Sequence, residues 1–177
     1  MKLQKTRAMK LVELGDNLSY VKGKKPSALS LIQENDYLPY VDLELLTKGI
    51  VKSWTDGKDC LSCQKGDVLI LFWGARSGFV GQAIDGFVGS TLAKISHPEV
   101  TNTYLYYFLK SKFLDLNHSS RGTAQPNLDQ KFLRSLQIPL PSFDDQQKIV
   151  APLVLLDAEG GDSEMRALGK KIKVSYL

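Results

Sequence analysis

Residues 122–149 read Gly122-Thr123-Ala124-Gln125-Pro126-Asn127-Leu128-Asp129-Gln130-Lys131-Phe132-Leu133-Arg134-Ser135-Leu136-Gln137-Ile138-Pro139-Leu140-Pro141-Ser142-Phe143-Asp144-Asp145-Gln146-Gln147-Lys148-Ile149. In order, this is a polar loop, a short capped helix, a Pro-bounded apolar strand and the head of another helix. Asn127 with Gln130 has capping-box spacing and predicts a helix to about residue 135. Residues 137–140 form the strand, and Ser142 with Asp145 is a second capping pair. The loop places Gln125 and Asn127 close after Arg121. Arg pairs bidentately with guanine, and Gln or Asn with adenine, in the major groove, so these side chains suit base reading.

Toward the C-terminus, Ile149, Leu153 and Leu156 recur at the 4-then-3 spacing of a coiled-coil seam, and Met165, Leu168 and Ile172 at 3-then-4. The two runs are out of phase. Gly160-Gly161 lies between them, and Pro152 inside the first is expected to kink it. An interrupted helix or two helical segments is therefore expected.

Toward the N-terminus, Thr101 or Asn102 can cap a helix over residues 103–116 whose Leu105, Phe108, Leu109 and Phe113 share a face. Residues 68–73 are apolar throughout and bounded by turn signals, which predicts a buried strand; Trp73 closes it and reads as core, while stacking or wedging is the other reading for Trp73 and for Trp54. Gly74, Gly78 and Gly81 punctuate a loop holding Arg76 and Ser77. Residues 79–84 and 87–95 read as a hairpin about Asp85-Gly86, making the sheet at least partly antiparallel. Residues 50–54 read as a strand, and residues 37–46 as a strand and turn ended by Gly49. Leu11, Val12, Leu14, Leu18 and Val21 give residues 10–21 a weak helical pattern, broken at Gly23. The expected class is mixed α/β with a C-terminal helix.

The chain has 177 residues, 43% of them hydrophobic, enough for one domain with a core and an appendage. No apolar run reaches membrane-spanning length, and the basic start lacks the apolar stretch of a secretory signal, so a cytoplasmic location is expected. Net charge is +4, and Lys2, Lys5, Arg7, Lys10, Lys22, Lys24 and Lys25 crowd the first 25 residues against Glu13 and Asp16. This concentration suits a phosphate-binding face, and a solvated surface is the competing reading for each lysine.

Catalytic signals are lacking. The glycines do not form a dinucleotide or P-loop pattern, and no Gly-x-Ser-x-Gly elbow or Asn-Pro-Pro-Tyr element of an adenine methyltransferase occurs. Cys60 and Cys63 are spaced Cys-x-x-Cys, but His97 and His118 are far away and out of finger spacing, so neither metal nor cofactor is expected.

These pieces together resemble the target-recognition domain of the specificity subunit of type I restriction-modification enzymes. The resemblance rests on Gly122, Gln125, Asn127-Leu128, Ile138-Pro139-Leu140-Pro141 and Gln146 or Gln147 with Ile149-Val150. It extends to Leu14-Gly15-Asp16 followed by Lys22-Gly23-Lys24, to Tyr37-Leu38-Pro39-Tyr40-Val41, and to Gly66-Asp67-Val68-Leu69 with Trp73-Gly74-Ala75 and Gly78. Family members commonly hold two such domains joined by long helices. This chain has one set of motifs, as in a half-subunit or truncated form.

The resemblance implies a non-catalytic protein that binds double-stranded DNA, reads one half of a bipartite target and positions an adenine methyltransferase subunit, with a restriction or translocase subunit as a further partner. It divides the chain into a recognition domain over residues 1–141 and a helical dimerisation and methyltransferase-docking segment over 142–177. A homodimer through that segment would read an inverted repeat. The DNA-binding candidates are Lys22, Lys24, Lys25, Arg76, Ser77, Arg121, Thr123, Gln125 and Asn127. The partner-helix candidates are Ile149, Leu153, Leu156, Met165, Leu168 and Ile172. Asn127 can equally be a helix cap, and Arg76 and Ser77 part of a simple turn. The alternative is a scaffold that binds a protein through its C-terminal helix and does not bind DNA.

Overall fold

A computed structural model gives the structure of the chain and describes residues 9–34, 36–120 and 126–158. Its centre is β6 (Val68–Leu71), in which every residue is buried. β6 lies between β7 (Val80–Gln82) and β9 (Leu92–Ser96), and β2 (Ser19–Lys22) pairs with β9. All pairings in this four-stranded sheet, ordered β2-β9-β6-β7, are antiparallel. Side chains alternate across it. Val68 and Ile70 join one apolar cluster with Ala93 and Ile95, while Leu69 and Leu71 join another with Leu92. A strand covered on both faces is apolar at every position, hence the unbroken run at 68–71.

One face is covered by a second sheet, ordered β4-β3-β8-β5, and by α1 (Leu43–Lys48). Here β3 (Leu38–Val41) runs parallel to β8 (Gly86–Val88), while β4 (Trp54–Thr55) and β5 (Ser62–Cys63) are antiparallel edges. The other face carries α2 (Asn102–Ser111), α3 (Phe113–Ser119), α4 (Gln130–Ser135), α5 (Phe143–Ala158) and a ribbon of β1 (Leu11–Glu13) with β10 (Gln137–Pro139). The mixed α/β class with a C-terminal helix is as expected. No helix among the described residues is long and apolar enough to cross a membrane.

Several local expectations are overturned by tertiary pairing. Residues 10–21 are not helical. β1 pairs with β10, β2 pairs with β9, and Leu14 and Gly15 donate to the carbonyls of Leu136 and Arg134 between them. Those ladders outweigh a weak propensity. The hairpin about Asp85-Gly86 does not form. β7 pairs with β6, and β8 crosses into the second sheet, where the Asp85 carboxylate accepts the Lys65 N–H. Gly86 permits the crossing, because a Cβ there would collide with the Pro39 carbonyl. The strand expected at 50–54 is reduced to β4. The turn after β3 is a helix, with Asp42 accepting the Leu45 N–H and Gly49 (φ 71°) ending it.

The helix expected at 103–116 is two helices meeting at Lys112, and Thr101 is the first cap. α4 is capped by Asp129, which accepts from Lys131 and Phe132, and not by Asn127. The Ser142–Asp145 pair forms as expected. α5 runs unbroken across Pro152, so the interruption expected in that stretch is absent. Gly160, Gly161, Met165, Leu168 and Ile172 lie outside the described residues.

Candidate nucleic-acid interface

β2 and β6 both run antiparallel to β9, so the ends of β2 and β6 meet the start of β9 at one edge. There Gly23 donates to the Leu92 carbonyl at 2.8 Å and Phe72 to the Thr91 carbonyl at 3.0 Å. Gly23 is pressed on the backbone of Val88 and Gly89, where no Cβ fits, and this close crossing carries the chain on to Lys24 and Lys25. The Lys22 ammonium lies 4.5 Å over the Phe72 ring, and all three lysines are exposed.

A segment distant in sequence joins this edge. Asn127 and Trp73 form an antiparallel bridge, flanked by bonds from Leu128 N–H to the Phe72 carbonyl (2.8 Å) and from Gly74 N–H to the Pro126 carbonyl (2.9 Å). Leu128 is buried while the Asn127 side chain stays exposed, so the bridge anchors the segment and turns an amide outward.

Between β6 and β7, residues 74–78 form a tight, braced turn. Ser77 donates to the Gly74 carbonyl and Gly78 to that of Leu71. From α3, Asn117 Nδ2 donates to the carbonyls of Ala75 and Ser77, both at 3.0 Å. Gly78 has φ 88° and sits against Leu116, so a side chain there would be both strained and blocked. The turn displays Arg76, whose guanidinium stacks 4.7 Å over the Phe79 ring. A cation so held loses less rotamer freedom on binding a phosphate or base edge.

The structure thus gathers Lys22, Arg76 and Asn127 with the 126–128 segment and the braced turn, and Lys24 and Lys25 follow from the same edge. Ser77 departs from the expectation: its side chain is fully buried, so the edge does not display its hydroxyl, and it holds the turn through its backbone. Arg121, Thr123 and Gln125 lie outside the described residues. Trp73 is a second departure, because its indole is 45% exposed. The sequence reading also missed Asn117, which carries no local signal because its two acceptors lie about forty residues away in the chain. Cys63 is buried on the edge strand β5, and burial pushes its thiol up to about 12. No group of ligating side chains suited to a metal occurs among the described residues.

The seam expected on the last helix faces inward. Ile149 and Leu153 pack on the core of their own domain beside buried Val150, and Leu156 is half-buried. Gln146 is fully buried and ties α5 to the start of α2, while Tyr107 donates to Asp157 at 2.8 Å near the other end. The stripe left outward is Ala151, Val154 and Leu155, beside a shallow apolar groove reaching Thr101 and Thr103.

Residues 7–165 match the family described as the type I restriction modification DNA specificity domain. The chain is 30% identical over 168 residues to the type I restriction enzyme MjaVIII specificity subunit of Methanocaldococcus jannaschii, covering 93% of this chain and 38% of that protein. It is also 30% identical over 121 residues to the EcoBI specificity subunit of Escherichia coli, covering 64% of this chain and 25% of that one. The fold is similar to the HsdS subunit from Thermoanaerobacter tengcongensis, with TM-score 0.64 at 20% identity over 99% of this chain and 41% of that one. A chain from a structure concerned with complex assembly and conformational transition of the type I R-M system gives TM-score 0.67 at 21% identity, over 98% of this chain and 46% of that one. The chain therefore spans less than half the length of these relatives. The family match takes in all of the described residues, the braced turn and the 126–128 segment included, and on that ground the chain belongs to the type I restriction modification DNA specificity domain family.

Proposed function

We propose that this chain is a target-recognition domain that binds double-stranded DNA with the edge formed by Lys22, Lys24, Lys25, Arg76 and Asn127, and reads one half of a bipartite target. The observation that carries the reading is the Trp73–Asn127 bridge, which brings two separate loops and a basic strand end to one place. Cations position such a domain on phosphates, while amide and guanidinium groups read base edges. Arg121, Thr123 and Gln125, on the loop leading into Asn127, belong to the same proposal on their chemistry. The relatives named as specificity subunits support it.

The domain itself performs no chemistry. It positions an adenine methyltransferase subunit, which takes the target base out of the duplex, and a restriction or translocase subunit joins the same complex. Residues 142–177 form the dimerisation and methyltransferase-docking segment, with Ala151, Val154 and Leu155 as its described contact stripe in place of the inward-facing seam. The site of action is the cytoplasm.

Adenine methylation mapped by single-molecule sequencing, with and without this gene, tests the reading. Loss of methylation at one motif is expected, and an inverted-repeat motif would report a homodimer. If methylation is unchanged while the partner methyltransferase is expressed, and the assembled complex fails to bind duplex DNA, the scaffold alternative replaces this one.

A further inference from the structure

The structure assigns Trp73 to the DNA interface as an apolar contact, its indole packing on the sugar or base edge of the bound duplex. The inference rests on the reading above and adds a residue of different chemistry to it. β6 is wholly buried through Leu71, and Phe72 is half-buried under Lys22. One residue on, the chain presents its largest side-chain type to solvent, although an indole is among the groups that gain most from burial.

The exposure is not that of a loose loop. Phe72 is bonded on both sides, to Thr91 and Leu128, and Gly74 to Pro126, so the Trp73 backbone is held between two ladders. Little backbone entropy remains to be lost when this indole meets a partner. Its bridge partner Asn127 carries an exposed amide, the turn that displays Arg76 begins at the next residue, and the Lys22 ammonium lies over the ring of the preceding residue, Phe72. An aromatic set among cations and amides on a rigid edge is the arrangement that takes nucleic acid, with the cations on the phosphates and the ring on the apolar sugar and base surfaces.

The test uses the complex assembled with its methyltransferase subunit. This chain is made with 5-fluorotryptophan and combined with unlabelled partner, so that fluorine NMR reports only Trp54 and Trp73, assigned by W73F. A duplex carrying the motif found by methylation mapping is expected to shift the Trp73 signal and leave that of Trp54 in place. W73A is expected to weaken binding roughly tenfold to a hundredfold without changing the slope of affinity against salt, because no charge is removed. W73F, which keeps a ring, is expected to retain most of the affinity. The inference is overturned if the wild-type complex binds the duplex while the Trp73 signal stays fixed. It is likewise overturned if W73A binds as wild type, or if methyltransferase alone produces the shift. Failure of the wild-type complex to bind any duplex would instead remove the DNA reading itself.

Discussion

Gln146 Oε1 accepts the backbone N–H of Thr101 at 2.8 Å, joining the first turn of α5 to the cap of α2. The same amide donates through Nε2 to the carbonyls of Glu99 (2.9 Å) and Pro141 (3.2 Å), and the residue is fully buried. Q146L keeps the volume and strands these partners without water. We expect a loss of about 2–3 kcal/mol in urea unfolding, whereas Q147L on the exposed face should change stability by less than about 0.5 kcal/mol. Equal effects would refute the assignment of Gln146 as the tie.

Asn117 braces the Arg76 turn from behind. N117A leaves the carbonyls of Ala75 and Ser77 without this donor. We expect a stability loss of about 1–2 kcal/mol. The turn should also exchange its amide hydrogens faster than β6 does. Uniform exchange across both regions would show that the brace acts on the whole fold and not on the turn.

The proposed contacts differ in how salt reports them. R76A and K22A should each lower the slope of log affinity against log salt by about one. S77A removes no charge and lies at a buried position, so it should leave both the slope and the affinity at any one salt concentration unchanged. Weaker binding by a folded S77A would restore Ser77 to the interface.

Burial sets the two cysteines apart. Cys63 is pushed up from 9.0 to about 12 by burial first, with Asp67 and Asp85 adding to the effect and Lys94 opposing it. Its thiol should resist alkylation in the folded protein at pH 8, while half-buried Cys60 reacts. The sign for stability follows from the raised value. The contribution is fully present below 9.0, where both states hold the proton, and is lost as the pH rises toward 12, because the unfolded chain ionises first. C63A should flatten the alkaline side of the stability profile, and an unchanged profile would refute this.

The two faces of α5 predict opposite phenotypes. I149A should cost about 2 kcal/mol or more of stability, because this side chain packs on the core. L155R should leave the unfolding midpoint nearly unchanged and weaken assembly, read by sedimentation of the complex. Stable assembly in L155R would place the partner contact elsewhere.

What could be read from the chain was what depends on neighbours in sequence or on burial of a whole run. The strand at 68–71 was legible because both its faces are covered, and the Ser142–Asp145 pair because its partners are three residues apart. Residues 10–21 were misread because β1 and β2 are made by partners far along the chain, β10 and β9. The false hairpin had a proper turn sequence, but Gly86 serves close packing on Pro39 and not a turn. At the candidate site the residue types were legible and their convergence was not. Nothing near Trp73 in sequence announces its bridge to Asn127, and a Trp that ends an apolar run of five reads as its sixth member.

β1 lies against β10, with Leu11 opposite Pro139 and Glu13 opposite Gln137. Every described residue assigned to the DNA edge, from Lys22 to Asn127, falls between these two strands in sequence, as do the turn and its Asn117 brace. The segment therefore leaves and re-enters its surroundings at nearly one point, as a peninsula does. Genetic exchange with its junctions at these strands would move the proposed DNA edge, preassembled, into another scaffold, and under the proposed function a change of target would leave the proposed docking helix as it is.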